Sequence, residues 1–239
     1  MIPWKVLDSA AAPGSNDPLT LHQRGHEFSI RVQHMELMNS RRSASESGFS
    51  ELGCARIAGR PRPRVLIGGL GMGFSLRRAL DGLPANATVV VAELVPQVVT
   101  WNETVLGHLA GHPLRDPRVV VRQGDVAQLL RESRGAFDLI MLDVDNGPEG
   151  LTQAANDWLY ARPGIETARA ALRPQGVLGY WSAKPDARFV RRLERAGLAV
   201  EEHVLAAANG GRGTRHVVWL ATARAEPSRA PARTRPARR

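Results

Sequence analysis

Apolar residues along this chain fall into short runs that alternate with stretches of helical spacing. Val65, Leu66 and Ile67 form one run, Gly68, Gly69, Gly71 and Gly73 crowd the next six positions, and Phe74 to Leu80 places its apolar residues at helical intervals. That order predicts a strand, a glycine turn and a helix. Further strands are predicted at 88–93, 118–123, 137–143 and 176–182, with helical stretches at 95–109, 126–133 and 154–173 between them and another at 186–196. The segments 198–206 and 214–222 flank ANGGRG and predict an antiparallel hairpin. Upstream, residues 19–40 alternate polar and apolar positions around Arg24-Gly25 and again at Gln33-His34, the pattern of a small antiparallel β unit. Residues 43–58 space Phe49, Leu52, Ala55 and Ile57 for a helix behind an N-cap at Ser43, and residues 1–18 are expected to be an irregular lead-in.

Apolar strands alternating with amphipathic helices imply a parallel sheet covered on both faces. A parallel sheet that closes with a hairpin strand is similar to the seven-stranded α/β fold of class I methyltransferases. The expected division is residues 1–60 as a small β unit with its helix, 61–223 as a nucleoside-binding α/β domain, and 224–239 as a disordered basic tail.

Composition narrows the function classes. With 239 residues and 43% apolar content the chain can bury a substantial core. It holds no run of 18 apolar residues, and its first residues lack the charged-then-apolar order of a signal peptide, so no membrane anchoring and a cytoplasmic location are expected. Cys54 is the single cysteine, which removes an internal disulfide and a cysteine metal cluster and predicts a small apolar residue on a helix face. Of the formal net charge of +9, the last sixteen residues carry +5, with six arginines, one glutamate and three prolines. Most of the apparent nucleic-acid signal is therefore a tail, suited to solubilising the protein or to weak, non-specific, salt-sensitive contact with nucleic acid.

The acidic residues carry the chemical argument. In a doubly wound sheet ligands bind outside the carboxyl ends of the strands, so carboxylates ending successive strands converge on one crevice. Glu93 ends the second of these strands, Asp125 follows the third and Asp143 ends the fourth. Glu93, 22 residues beyond Gly71, suits a carboxylate that accepts from both hydroxyls of a ribose. Asp125 fits either an acceptor for an exocyclic amine or a cap on the helix at 126–133, and Asp143 either a reacting group or a turn residue. A dinucleotide fingerprint would need glycine at position 74, where Phe74 stands, so a nucleoside ligand without a pyrophosphate fits better. His22 and His26 lie in a strand-like stretch with no third ligand, and no metal site is expected.

Taken together, GGLGMG, VVVAELVP with Glu93, DPRVVVRQGD with Asp125, FDLIMLDVDNGP with Asp143, LY, and ALRPQGVLGYWS resemble the polyamine aminopropyltransferases, the spermidine and spermine synthases. ELMNSRRSASESGFSELG resembles the segment that precedes the family's nucleotide domain. The resemblance spans roughly residues 30 to 182 and implies a transferase of polyamine biosynthesis. It would use decarboxylated S-adenosylmethionine, or S-adenosylmethionine itself, as co-substrate with no tightly bound cofactor, and it would act on a small-molecule amine. By the resemblance, Gly68, Gly69, Gly71, Gly73, Glu93, Gly124 and Asp125 hold the nucleoside, Glu93 at the ribose and Asp125 with Gly124 at the adenine. Asp143 binds the attacking amine and takes its proton, with Asp145 adding negative potential. A homodimer is the family's habit. Two alternatives use the same pocket, a methyltransferase and a non-catalytic nucleoside-binding protein. The chain departs from the family where its glycine loop usually carries an aspartate, since Gly71 stands there, and where D-S-x-D becomes Asp143-Val144-Asp145-Asn146. Both changes remove negative charge from the place where a diamine binds.

Overall fold

A computed structural model describes residues 2–11, 17–143, 157–208 and 213–224. Two sheets and seven helices are built from them. The first sheet is an antiparallel meander of β1 (Lys5–Ala10), β2 (Leu19–Arg24), β3 (Glu27–Val32) and β4 (Met35–Asn39), in that order. The turns at Arg24-Gly25 and Gln33-His34 fall where the alternation breaks, and Gly25 supplies the positive φ of 59° that the first turn requires.

β1 corrects the expected irregular lead-in. Its outward side chains Val6 and Leu7 are exposed, so this edge strand has no buried face to mark it in the sequence. Backbone pairing with β2, packing of Ala10 against the core and the Asp8 side chain hold it. Asp8 accepts from Gln97 Nε2 at 2.6 Å and from Trp101 Nε1 at 2.8 Å, which ties the strand to the helix carrying those residues.

Next come α1 (Ala44–Arg56), β5 (Arg64–Gly68), α2 (Phe74–Gly82), β6 (Thr88–Glu93), α3 (Pro96–Glu103), β7 (Val119–Gln123), α4 (Val126–Glu132) and β8 (Phe137–Leu142). After them lie α5 (Asp157–Tyr160), α6 (Arg162–Ala171), β9 (Leu172–Ser182), α7 (Ala187–Arg195), β10 (Leu198–Ala206) and β11 (Arg215–Ala223). The second sheet has the order β10-β11-β9-β8-β5-β6-β7. β9, β8, β5, β6 and β7 are parallel, and the hairpin β10-β11 adds antiparallel to β9. This is the seven-stranded class expected from the sequence. Strand order reverses at β5, so the crevice for a ligand opens beyond the carboxyl ends of β5, β6 and β8.

Three predicted elements differ in extent. The stretch 95–109 divides into α3 and a 3-10 turn at Gly107–Ala110, and 154–173 divides into α5 and α6, with Pro163 in the first turn of α6 where a missing N–H costs nothing. β9 begins at Leu172 directly from α6, several residues earlier than the apolar run suggested, because its first residues face solvent at the sheet's lower edge.

α1 lies directly on the large sheet. A Cβ at Gly53 would come within 3.1 Å of Leu139 Cδ2, one at Gly48 within 3.0 Å of Leu205 Cδ1, and one at Gly179 of β9 within 2.6 Å of the Phe49 ring. Absent side chains thus set the distance between helix and sheet. Cys54, on the same helix, is buried and burial pushes its thiol up to about 12, in keeping with a small apolar packing role. The expected 224–239 tail lies outside the described residues apart from Arg224, whose N–H donates to Gly197 O at 3.1 Å.

Candidate active site

The glycine loop leaves β5 at Gly68 and is stitched to its neighbours on every side. Gly69 N donates to Ala92 O of β6 at 2.9 Å, Asp143 N donates to Gly68 O at 2.9 Å, and Asn102 Nδ2 of α3 donates to Gly71 O at 2.8 Å. Gly69, Gly71 and Gly73 have φ of 93°, 54° and 81°, conformations that a residue with a Cβ adopts only under strain. The four glycines read as a ligand loop therefore have a conformational need as well, and the backbone of the loop stays bare toward the crevice.

Glu93, at the end of β6, is 7% exposed. Its two oxygens accept from Leu70 N and Val95 N, each at 2.8 Å. Burial pushes its carboxyl above the ordinary range, while backbone N–H groups of Val95, Leu70, Leu94 and Gly71 pull the other way. One carboxylate thus braces both the loop and the turn after β6.

Gly124 N donates to Glu93 O at 2.8 Å, which sets the β7 turn beside Glu93, and Gly124 has a φ of 138°. Asp125 is exposed and caps α4, accepting from Ala127 N at 2.7 Å. The capping role read from the sequence is therefore real, and it occupies one carboxylate oxygen at 2.7 Å. Asp143 follows β8 on the other flank and borders a small cleft of about 30 Å³ together with Gly69, Leu70, Gly71 and Ser75. The structure therefore brings Gly68, Gly69, Gly71, Gly73, Glu93, Gly124 and Asp143 to one end of the sheet, with Asp125 at its rim. Asp145 lies outside the described residues.

Three residues that the sequence reading missed complete the cleft: Met38 and Asn39 of β4 and Glu46 of α1. The same three border a second, larger cavity of about 420 Å³ whose walls include Trp181, Lys184 and His216. A ligand on the glycine loop thus has an outer chamber next to it. Burial pushes the Glu46 carboxyl up to about 7, opposed by its own backbone N–H and by the Ser45 hydroxyl, which donates to Glu46 Oε2 at 3.3 Å. In the sequence Glu46 is an ordinary first-turn acid of a helix, and only the fold of the N-terminal sheet over the crevice distinguishes it. His22 bonds Thr20 Oγ1 at 2.9 Å, away from this crevice.

Comparison with known proteins bears on the family and the fold. The family model of the spermine/spermidine synthase domain matches residues 56–187, more than half of the chain. A polyamine aminopropyltransferase of Leptospira biflexa is 29% identical over 119 residues, which is 49% of this chain and 40% of that protein. One from Nitrosomonas europaea is 31% identical over 129 residues, 53% of this chain and 37% of that protein. The aligned segment thus spans about 40% of the length of the curated relatives. Among solved structures, the spermidine synthase of Thermotoga maritima superposes with a TM-score of 0.71 at 16% identity, covering 91% of this chain and 72% of that one. A probable spermidine synthase from Corynebacterium glutamicum gives a TM-score of 0.62 at 16% identity, covering 93% and 80%. Sheet order, glycine loop and a domain match over more than half its length place this chain in the spermine/spermidine synthase family.

Proposed function

We propose that the chain transfers an aminopropyl group from decarboxylated S-adenosylmethionine to a polyamine acceptor. The observation that supports this most is the placing of Asp143 opposite the bare glycine loop, with Glu93 on the far flank of that loop. Two relatives are named polyamine aminopropyltransferases, and a spermidine synthase of the same fold has been captured with the transition state analogue AdoDATO.

In this reading Glu93 accepts from the ribose hydroxyls, Gly124 and the free oxygen of Asp125 border the adenine, and the glycine loop lets the backbone approach the nucleoside. The acceptor amine enters from the outer chamber. Its nitrogen lone pair forms a bond to the carbon next to the sulfonium, the C–S bond breaks with its electron pair going to sulfur, and neutral methylthioadenosine leaves. The proton lost by the attacking nitrogen goes to Asp143, with Asp145 adding negative potential. Because a sulfonium is already a good leaving group, the protein contributes mainly position and proton removal. A cytoplasmic location and a homodimer belong to the same reading; exposed Ile2 together with Val6 and Leu7 on β1 supports the second.

The test is a product assay with a diamine acceptor and each donor in turn. Methylthioadenosine formed from the decarboxylated donor supports the proposal. S-adenosylhomocysteine formed from S-adenosylmethionine, with no methylthioadenosine, overturns it in favour of methyl transfer.

A further inference from the structure

Gly71 leaves the glycine loop without a carboxylate, and the space beside it is taken. A Cβ there would meet Met38 Sδ at 3.1 Å and Cε at 3.2 Å, and its φ of 54° adds strain to any side chain. The loop therefore presents no charged side chain to the cleft. Across it stands Glu46, at the junction of cleft and outer chamber.

Among the described residues Glu46 forms no ion pair. Glu36, also on the chamber wall, accepts from Ser29 Oγ at 2.8 Å and Asn39 Nδ2 at 3.0 Å and faces Arg31 at 3.8 Å. Asp186 caps α7 through Arg188 N and Phe189 N and pairs with Arg192 at 3.4 Å. Arg42 and Lys184 line the chamber, yet among the described residues neither forms an ion pair with Glu46, and His216 is bonded instead to Ser45 Oγ at 2.8 Å. Asp143, the other acid lining the cleft, supplies no cation either. A partly buried carboxylate that, among the described residues, accepts one long side-chain hydrogen bond from a hydroxyl carries a desolvation cost that a cationic ligand would offset.

Resting on the aminopropyl reading, we infer that Glu46 binds the ammonium of the transferred aminopropyl group, supplying from α1 the negative charge that the glycine loop lacks. The donor lies along the loop with its ribose at Glu93. Its aminopropyl arm then runs past Gly71 into the cleft that Glu46 and Asp143 border, where a terminal cation meets both acids.

The test compares decarboxylated S-adenosylmethionine with methylthioadenosine, the same nucleoside without the aminopropyl ammonium, by calorimetry on the full chain and on its Glu46→Gln variant. The variant is expected to bind the decarboxylated donor about 10- to 100-fold more weakly, the scale of a hydrogen bond to a charged group. Methylthioadenosine should bind as before, and so also reports that the variant is folded. If both ligands weaken together, or the ratio of their affinities is unchanged, the inference is overturned while the aminopropyl reading stands. If the wild type binds methylthioadenosine but not the decarboxylated donor, the aminopropyl reading fails and the inference falls with it.

Discussion

Two carboxylates at opposite ends of the large sheet have been treated in opposite ways. Asp138, at the start of β8, is 2% exposed and fully provided for. Arg60 Nη1 donates to it at 3.1 Å, Arg173 Nη1 at 2.8 Å and Arg64 N at 2.8 Å, while Arg60 also donates to the carbonyls of Pro174 and Gln175. Glu46, at the other end, has one hydroxyl within hydrogen-bond reach and among the described residues no ion pair. The amino end of the sheet closes its charges internally and serves the fold. The carboxyl end leaves a charge open, at a cost to the fold, and there the ligand chemistry is expected.

Four substitutions sharpen that contrast. The largest effect is expected at the closed end, where Asp138→Ala strands two arginines and a backbone N–H and lowers unfolding free energy by about 3 kcal/mol. A urea titration measures it, and nucleoside affinity of the folded protein should be unchanged. Asp143→Asn should lower the transfer rate by about 10²-fold with donor affinity little altered, since an amide cannot take the proton of the attacking amine. A single-turnover assay beside calorimetry separates the two quantities. Glu93→Gln should weaken nucleoside binding by about 1–3 kcal/mol. Part of that loss comes through the loop, because the amide turns a donor toward Leu70 N or Val95 N, and calorimetry with methylthioadenosine reads the sum.

The smallest effect concerns Glu46 and the stability of the unliganded chain. Its carboxyl is raised from 4.5 to about 7, so folding favours the neutral form. That contribution is fully present below about pH 4.5 and is lost as pH rises through about 7. Glu46→Gln should therefore match the wild type near pH 4 and exceed it by about 1–2 kcal/mol at pH 8, read from urea midpoints at both pH values. A variant that gains stability but loses donor affinity would show the open end trading one for the other.

The sheet and its glycine loop were legible because each signal was local. Val65 to Ile67, the four glycines and the spacing of Phe74 to Leu80 describe one strand, one turn and one helix without reference to anything distant. Glu93 and Asp143 were legible for the same reason, as acids that end apolar strands. β1 was not, since an edge strand with exposed Val6 and Leu7 owes its place to Asp8 reaching α3, nearly ninety residues along the chain. Glu46 and Asp138 were missed on similar grounds. A first-turn helix acid and an acid inside FDLIML look alike in sequence, and only the fold shows which has partners.

The glycines beneath α1 give the molecule an adjustment screw remote from its chemistry. Helix glycines forfeit propensity, and Gly48 and Gly53 are tolerable because they let the helix sit low on Leu205 and Leu139. A methyl group at Gly179 meets the Phe49 ring too closely to be absorbed without movement. The helix would rise at that point, and Glu46, one turn earlier, would ride up with it. Under the proposed aminopropyl transfer, laboratory selection for bulkier acceptors thus has a route in which the proposed reacting residues stay untouched and the floor under one wall is shimmed by single carbons.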